Sequence, residues 1–187
     1  MRLQTYHLIS DYVHLNILIQ MKHLLTADNW SRYTRIASKH VDEEEVDTFI
    51  EECEQLFIIP AVGSDIFLRL VGEDLDENLS LLLEGGEYVD KAQKKHVFKG
   101  IRYALAYFVY AKMAKNDGSM LSRAGFLQPQ DEYAARMNDK NRINRYNDLM
   151  NVAESYLSGS LEYLKTWDDV KVKPVRGSRV RIIDIGD

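Results

Sequence analysis

The chain has 187 residues, 45% of them hydrophobic and 28% charged, with a formal net charge of −5. That composition fits an ordinary soluble globular protein able to bury one core and carry appendages. Its single cysteine, Cys53, excludes an internal disulfide. The opening stretch, interrupted by Asp11, His14 and Asn16, reads neither as a secretory signal nor as a membrane span of about 20 apolar residues.

Three prolines and ten glycines over this length favour helices over a sandwich of short strands. Residues 5–25 carry a loose stripe through Leu8, Tyr12, Leu15 and Ile19, compatible with an amphipathic helix or with an N-terminal extension. Thr26–Trp30 breaks that pattern. The spacing next predicts a helix from about residue 42, with Asp42 as N-cap and Glu45 three residues on completing a capping box. Glu43 and Glu44 suit the positive end of its dipole. Val46, Phe49, Ile50, Cys53, Leu56 and Phe57 mark its buried face, and Pro60 is expected to stop it. A brief helix capped by Ser64 follows through Ile66, Phe67 and Leu70, ending at Gly72. Leu79–Leu83 forms another, closed by Gly85-Gly86.

Lys94–Asn116 is the segment around which the rest is expected to pack. Val97, Phe98, Ile101, Leu105, Phe108, Val109 and Met113 repeat with helical spacing, and Tyr103, Tyr107 and Tyr110 flank that stripe. A long polar connection, residues 119–139, leads to a last helix over 141–166, where an interior Gly159 costs about 1 kcal/mol relative to alanine. The fold class expected is therefore all-α: a compact bundle around one long central helix, with a long loop and a short β-like basic tail.

That tail, VKVKPVRGSRVRII (residues 170–183), alternates apolar and basic residues and holds no acid. Lys171, Lys173, Arg176, Arg179 and Arg181 give it +5. With these five removed from 24 basic residues, 19 remain against 29 acidic ones, a balance of −10 for the rest. Such a contrast points to partner docking, by addition to a partner's sheet edge, ahead of a solvated, disordered C-terminus and of contact with nucleic-acid phosphates.

Other constellations have plainer explanations. Asp74, Asp76 and Asn78 imitate the first ligands of a calcium loop, but Leu79 stands where the turn glycine is required and Gly85 where a bidentate glutamate is; the stretch reads as solvated acid. The five histidines contain no i, i+4 pair, and one cysteine cannot complete a zinc set. Gly85-Gly86 has no Lys-Ser/Thr after it and is no phosphate loop. Cys53, on an apolar stripe, reads as a small buried hydrophobe. The three tyrosines read as core or subunit-interface residues before a base-stacking platform. No arrangement supports catalysis, a metal or a cofactor, and no enzyme is expected.

Three blocks of sequence carry a resemblance to a known family. They are HVDEEEVDTFIEECEQLFIIPAVGSDIFLRL (His40–Leu70), LLEGGEYVDKAQKKHVFKGIRYALAYFVYAKM (Leu82–Met113), and the Asp131-Glu132-Tyr133 region leading to RYNDLMNVAESYLSGSLEYL (Arg145–Leu164). In order and pattern these resemble the small helical head–tail connector (adaptor, neck) proteins of tailed bacteriophages and prophages. The likeness runs from about Trp30 to Trp167. It divides the chain into an N-terminal extension (1–29), a connector-like domain (30–167) and the basic tail (168–187). The resemblance implies a structural virion protein: a ring of copies between portal and tail, assembled in the host cytoplasm and residing in the virion neck. DNA would pass through it without sequence-specific binding, and no membrane is involved. An acidic body would repel DNA phosphates and keep such a channel slippery. The alternative is a helical nucleic-acid-binding regulator using the tail with Arg142 and Arg145.

Overall fold

A computed structural model of the chain describes residues 22–35, 43–116, 120–122, 125–127, 139–167 and Val170. The proposed cap Asp42 and most of the 5–25 stripe lie outside these residues. So do Asp131, Glu132, Tyr133 and the tail residues Lys171, Lys173, Arg176, Arg179 and Arg181.

The described structure is mainly helical. After a 3-10 turn (Trp30–Tyr33), α1 (Glu43–Cys53) buries Val46, Phe49, Ile50 and Cys53 and leaves Glu43, Glu44 and Glu45 exposed in its first turn. Pro60 does not stop this helix, contrary to the sequence expectation. The chain widens into a π turn (Glu54–Ile58), in which the Ile59 N–H reaches back to the Glu54 carbonyl, and then continues as the short α2 (Ile59–Val62). Pro60 thereby falls in a new first turn, where a missing N–H leaves no hydrogen bond unmade. The helical path ends at Gly63, at φ 90°.

Ser64 is the first residue of α3 (Ser64–Leu70) rather than its cap. Asp76, read from sequence as a solvated acid, is the N-cap of α4 (Glu77–Glu84): its Oδ1 accepts the Leu79 N–H at 2.7 Å.

The largest departure from expectation lies at residues 94–100. These do not begin the central helix; Lys95–Lys99 is strand β2, paired antiparallel with β1 (Gly85–Val89) in the register Gly85↔Lys99 through Val89↔Lys95. Two features select the hairpin. Asp90 closes its turn by accepting the N–H groups of Ala92 and Lys94, both at 2.8 Å. Gly85 and Gly100 let two backbones cross: a Cβ on Gly100 would sit 2.1 Å from the Leu83 carbonyl oxygen, and one on Gly85 would sit 2.4 Å from the Gly100 nitrogen. Gly100 is therefore the corner before α5 (Ile101–Asn116), not a residue within that helix.

α5 buries Ile101, Ala104, Leu105, Ala106, Tyr107, Phe108, Val109 and Ala111. It packs along α6 (Asp139–Leu164) and also meets α1, α4 and the 3-10 turn. Within the connection read as a polar loop, β3 (Met120–Ser122) pairs antiparallel with β4 (Gly125–Leu127). Leu24 and Leu25 are buried in the same core, so that core takes in residues ahead of Trp30.

Candidate functional site

Glu54 is the only charged side chain fully buried among the described residues, at 0% exposure. The π turn is where it lies, and Val46, Ile50, Glu54 and Ile58 form a row spaced by four, each member buried. Its carboxylate is spent on the segment ahead of α1. Oε1 accepts the Leu24 N–H at 2.7 Å, and Oε2 accepts from the Nδ1–H tautomer of His23 at 2.7 Å. Burial raises its pKa above the ordinary carboxylate value, and the bonds to His23 and Leu24 oppose that rise without cancelling it.

Other bonds strap the same segment to the body. The Ala27 N–H donates to Asp47 Oδ1 at 3.0 Å, and Arg102 Nε donates to the Leu24 carbonyl at 3.0 Å. Arg102 also reaches the Glu84 carboxylate, which accepts from the Tyr33 hydroxyl at 3.2 Å. Trp30 packs edge-on against Tyr110, and Tyr33 against Tyr103. Tyr107 of the tyrosine stripe lies in the core and Tyr110 packs against it, and Tyr103 and Tyr107 each meet Tyr156 of α6 edge-on.

Cys53 is buried, with its thiol pushed up to about 12 by burial. A thiol so rarely ionised is a poor nucleophile. At the far end of α6, Tyr163 stacks on Phe98, tilts against Tyr88 and meets Trp167 edge-on. Ser160 Oγ donates to the Lys99 carbonyl at 3.0 Å, fastening β2 to α6. A surface groove of about 440 Å³ runs between that strand and α6, lined in part by Val97, Phe98, Tyr156 and Gly159. A second, of about 360 Å³, is lined by Tyr88, Asp90, His96, Glu162 and Lys165. In it His96 Nε2 pairs with Asp90 Oδ2 at 2.8 Å and the His96 ring stacks on Tyr88. The Lys94 N–H, foremost, holds the Asp90 carboxyl below its ordinary value, with His96 adding to it. Asp90 is thereby committed to the hairpin turn. Among the described residues no group of three His, Cys, Asp or Glu side chains could hold a metal, and no helix is long and apolar enough to cross a membrane.

Sequence reading gathered most of the apolar core, but it put Leu56 and Val97 on buried faces, where they are 53% and 78% exposed, and it passed over Glu54 and its partner His23. The signal was present: a glutamate eight residues after Val46 and four after Ile50 falls on the buried row. The tail residues proposed for partner contact lie outside the described structure, which ends at Val170.

Fold and site together define a mainly α-helical protein with one core and a β-hairpin packed on its last helix. Residues 58–170 match the family described as "Family of unknown function (DUF6712)", and the chain belongs to that family. The match takes in α2 to α6 and both hairpins and leaves out α1, Glu54 and the strap before it. No curated protein and no solved structure matches the chain.

Proposed function

We propose that this chain is a head–tail connector, a structural protein that assembles as a ring between the portal and the tail of a phage or prophage and lets DNA through. The observation that carries this reading is a coincidence of pattern and packing. The blocks that resemble connectors (His40–Leu70, Leu82–Met113 and Arg145–Leu164) contribute α1, the hairpin, α5 and most of α6, and with them most of the core. The likeness therefore follows the packing scheme rather than a shared surface motif. In this reading α5 is the axis of a helical bundle, its partners are copies of itself, the portal and the neck or tail proteins, and no reaction is catalysed. The tail, through Lys171, Lys173, Arg176, Arg179 and Arg181, supplies contacts to an acidic portal surface.

The test is assembly. Mixed with the portal protein of the same virion, the chain should form rings visible by negative-stain electron microscopy and measurable as a mass increase by light scattering. Truncation from Lys171 should leave far-UV helicity unchanged and weaken portal binding. Val170 stays in the truncated chain because it is half-buried against the core. A chain that remains monomeric beside its portal overturns the reading. The regulator alternative predicts DNA affinity falling steeply with added salt; the absence of a gel shift at low salt removes it.

A further inference from the structure

The β1–β2 hairpin has two unlike faces. One carries Tyr88, His96 and Phe98, and there Tyr88 and Phe98 pack on Tyr163 of α6. The other carries Glu87, Val89, Lys95, Val97 and Lys99, all exposed. Val97 is 78% exposed and Val89 50%. In this register Val97 lies opposite Glu87 and Val89 opposite Lys95, so two β-branched residues sit together on an open pleated face framed by charge. On this face Lys95 and Lys99 stand against the single acid Glu87, and the Lys99 ammonium also lies over the Tyr103 ring at 4.5 Å.

α1 has the opposite character. Glu43, Glu44, Glu45, Asp47 and Glu51 are exposed, the helix has no basic residue, and Leu56, 53% exposed, follows in the π turn. The hairpin packs on α6, whereas α1 packs on α5. One chain thus presents a basic face and an acidic face, each with an uncovered aliphatic residue, on different elements of its core.

We propose that the solvent face of the hairpin docks on the exposed acidic face of α1 in a second copy of this chain. The proposal rests on the connector reading and names the contact between neighbours. Charge complementarity selects the occupant: the chain's own basic tail would meet like charge here, and a nucleic-acid backbone would leave the two valines uncovered. The contact is heterologous, one patch meeting a different one, which is the kind that closes into a ring. A five-residue face is small beside the roughly 800 Å² per partner of a standard interface. The contact is therefore weak in an isolated pair and effective when repeated around a ring.

Ring assembly on the portal tests this with Lys95→Glu/Lys99→Glu, with Glu44→Lys/Glu51→Lys and with all four together, circular dichroism checking that each variant folds. Each pair alone should abolish rings, and the fourfold variant should restore them. Rings formed by Lys95→Glu/Lys99→Glu as readily as by wild type overturn the docking face and leave the connector reading standing. Loss in either pair without restoration in the fourfold variant overturns the hairpin–α1 pairing. A wild-type chain that forms no ring overturns both.

Discussion

Glu54 accepts the backbone N–H of Leu24 at 2.7 Å across 30 residues of sequence, and that bond ties the strap ahead of α1 to the π turn behind it. The same carboxylate takes the His23 ring, so both its oxygens are used on one short segment. A buried carboxylate without partners would be untenable, and a strap without this acceptor would bury an unpaired N–H.

The pH dependence of this tie has a definite sign. Burial raises the folded-state pKa of Glu54 above its unfolded value, so the fold favours the protonated carboxyl. Its contribution is fully present below the ordinary carboxylate range and is lost as pH rises through the folded pKa. Glu54→Gln keeps an oxygen for the Leu24 N–H and carries no charge. The variant should therefore gain stability relative to wild type as pH rises from the carboxylate range to neutrality. Glu54→Ala should lose about 1–3 kcal/mol, because the Leu24 N–H is left buried and unpaired. Urea titrations of the three proteins at several pH values read both effects. A wild type that gains on Glu54→Gln with rising pH would contradict the sign.

Asp76 supplies a second prediction. As N-cap of α4 it satisfies the Leu79 N–H, a role worth about 1 kcal/mol for caps in general. Asp76→Ala should lower the unfolding free energy by roughly that amount, and Asp76→Ser should recover most of it. Glu73, exposed in the same acidic run and paired with Lys22 at the surface, should change stability little when replaced by alanine. Equal losses at the two positions would show that Asp76 acts by charge and not by capping.

Residues 94–100 show why part of the fold was legible in the sequence and part was not. Ile101, Leu105, Phe108 and Val109 carry helical periodicity, and the helix is where they put it. Val97 and Phe98 fit the same stripe arithmetically, yet they belong to a strand, Phe98 facing inward and Val97 outward. What decides between the two is long-range: the Asp90 turn and a backbone crossing at Gly85 and Gly100 that no local pattern encodes. Glu54 was missed for a related reason. Its place on the buried row was legible, but its partners His23 and Leu24 lie 31 and 30 residues away in sequence, and no local pattern joins them to it. Pro60 misled because a wide turn can absorb it.

The glycines at that crossing and on α6 should respond differently to one methyl group. At Gly100 the added Cβ would lie 2.1 Å from a backbone carbonyl oxygen, which cannot swing aside. Gly100→Ala should therefore cost about 3 kcal/mol or more, at the upper end of overpacking losses. At Gly159 the Cβ would meet Phe98 Cβ at 3.3 Å, a contact relieved by a few tenths of an ångström. Alanine there also adds about 1 kcal/mol of helix propensity, so Gly159→Ala should lie within about 1 kcal/mol of wild type. Melting temperatures of the two variants check the contrast, and similar losses in both would mean that the backbone crossing yields to a methyl group.

Cys53 gives a prediction that needs no substitution. It sits fully buried on the row that packs α1 against α5, and its thiol is pushed up to about 12, chiefly by desolvation, with Lys112 pulling the other way. The thiolate is the species that attacks a disulfide reagent and expels its leaving thiolate, so two barriers protect Cys53: burial and the small ionised fraction at neutral pH. A disulfide reagent such as dithionitrobenzoate should leave the folded protein unmodified at pH 8 and titrate one thiol per chain once denaturant is added. Labelling should follow opening of the α1–α5 contact, and Glu54→Ala, which loosens the strap alongside, should speed it. Rapid labelling of the native wild type would mean that the α1–α5 contact does not cover Cys53 in solution.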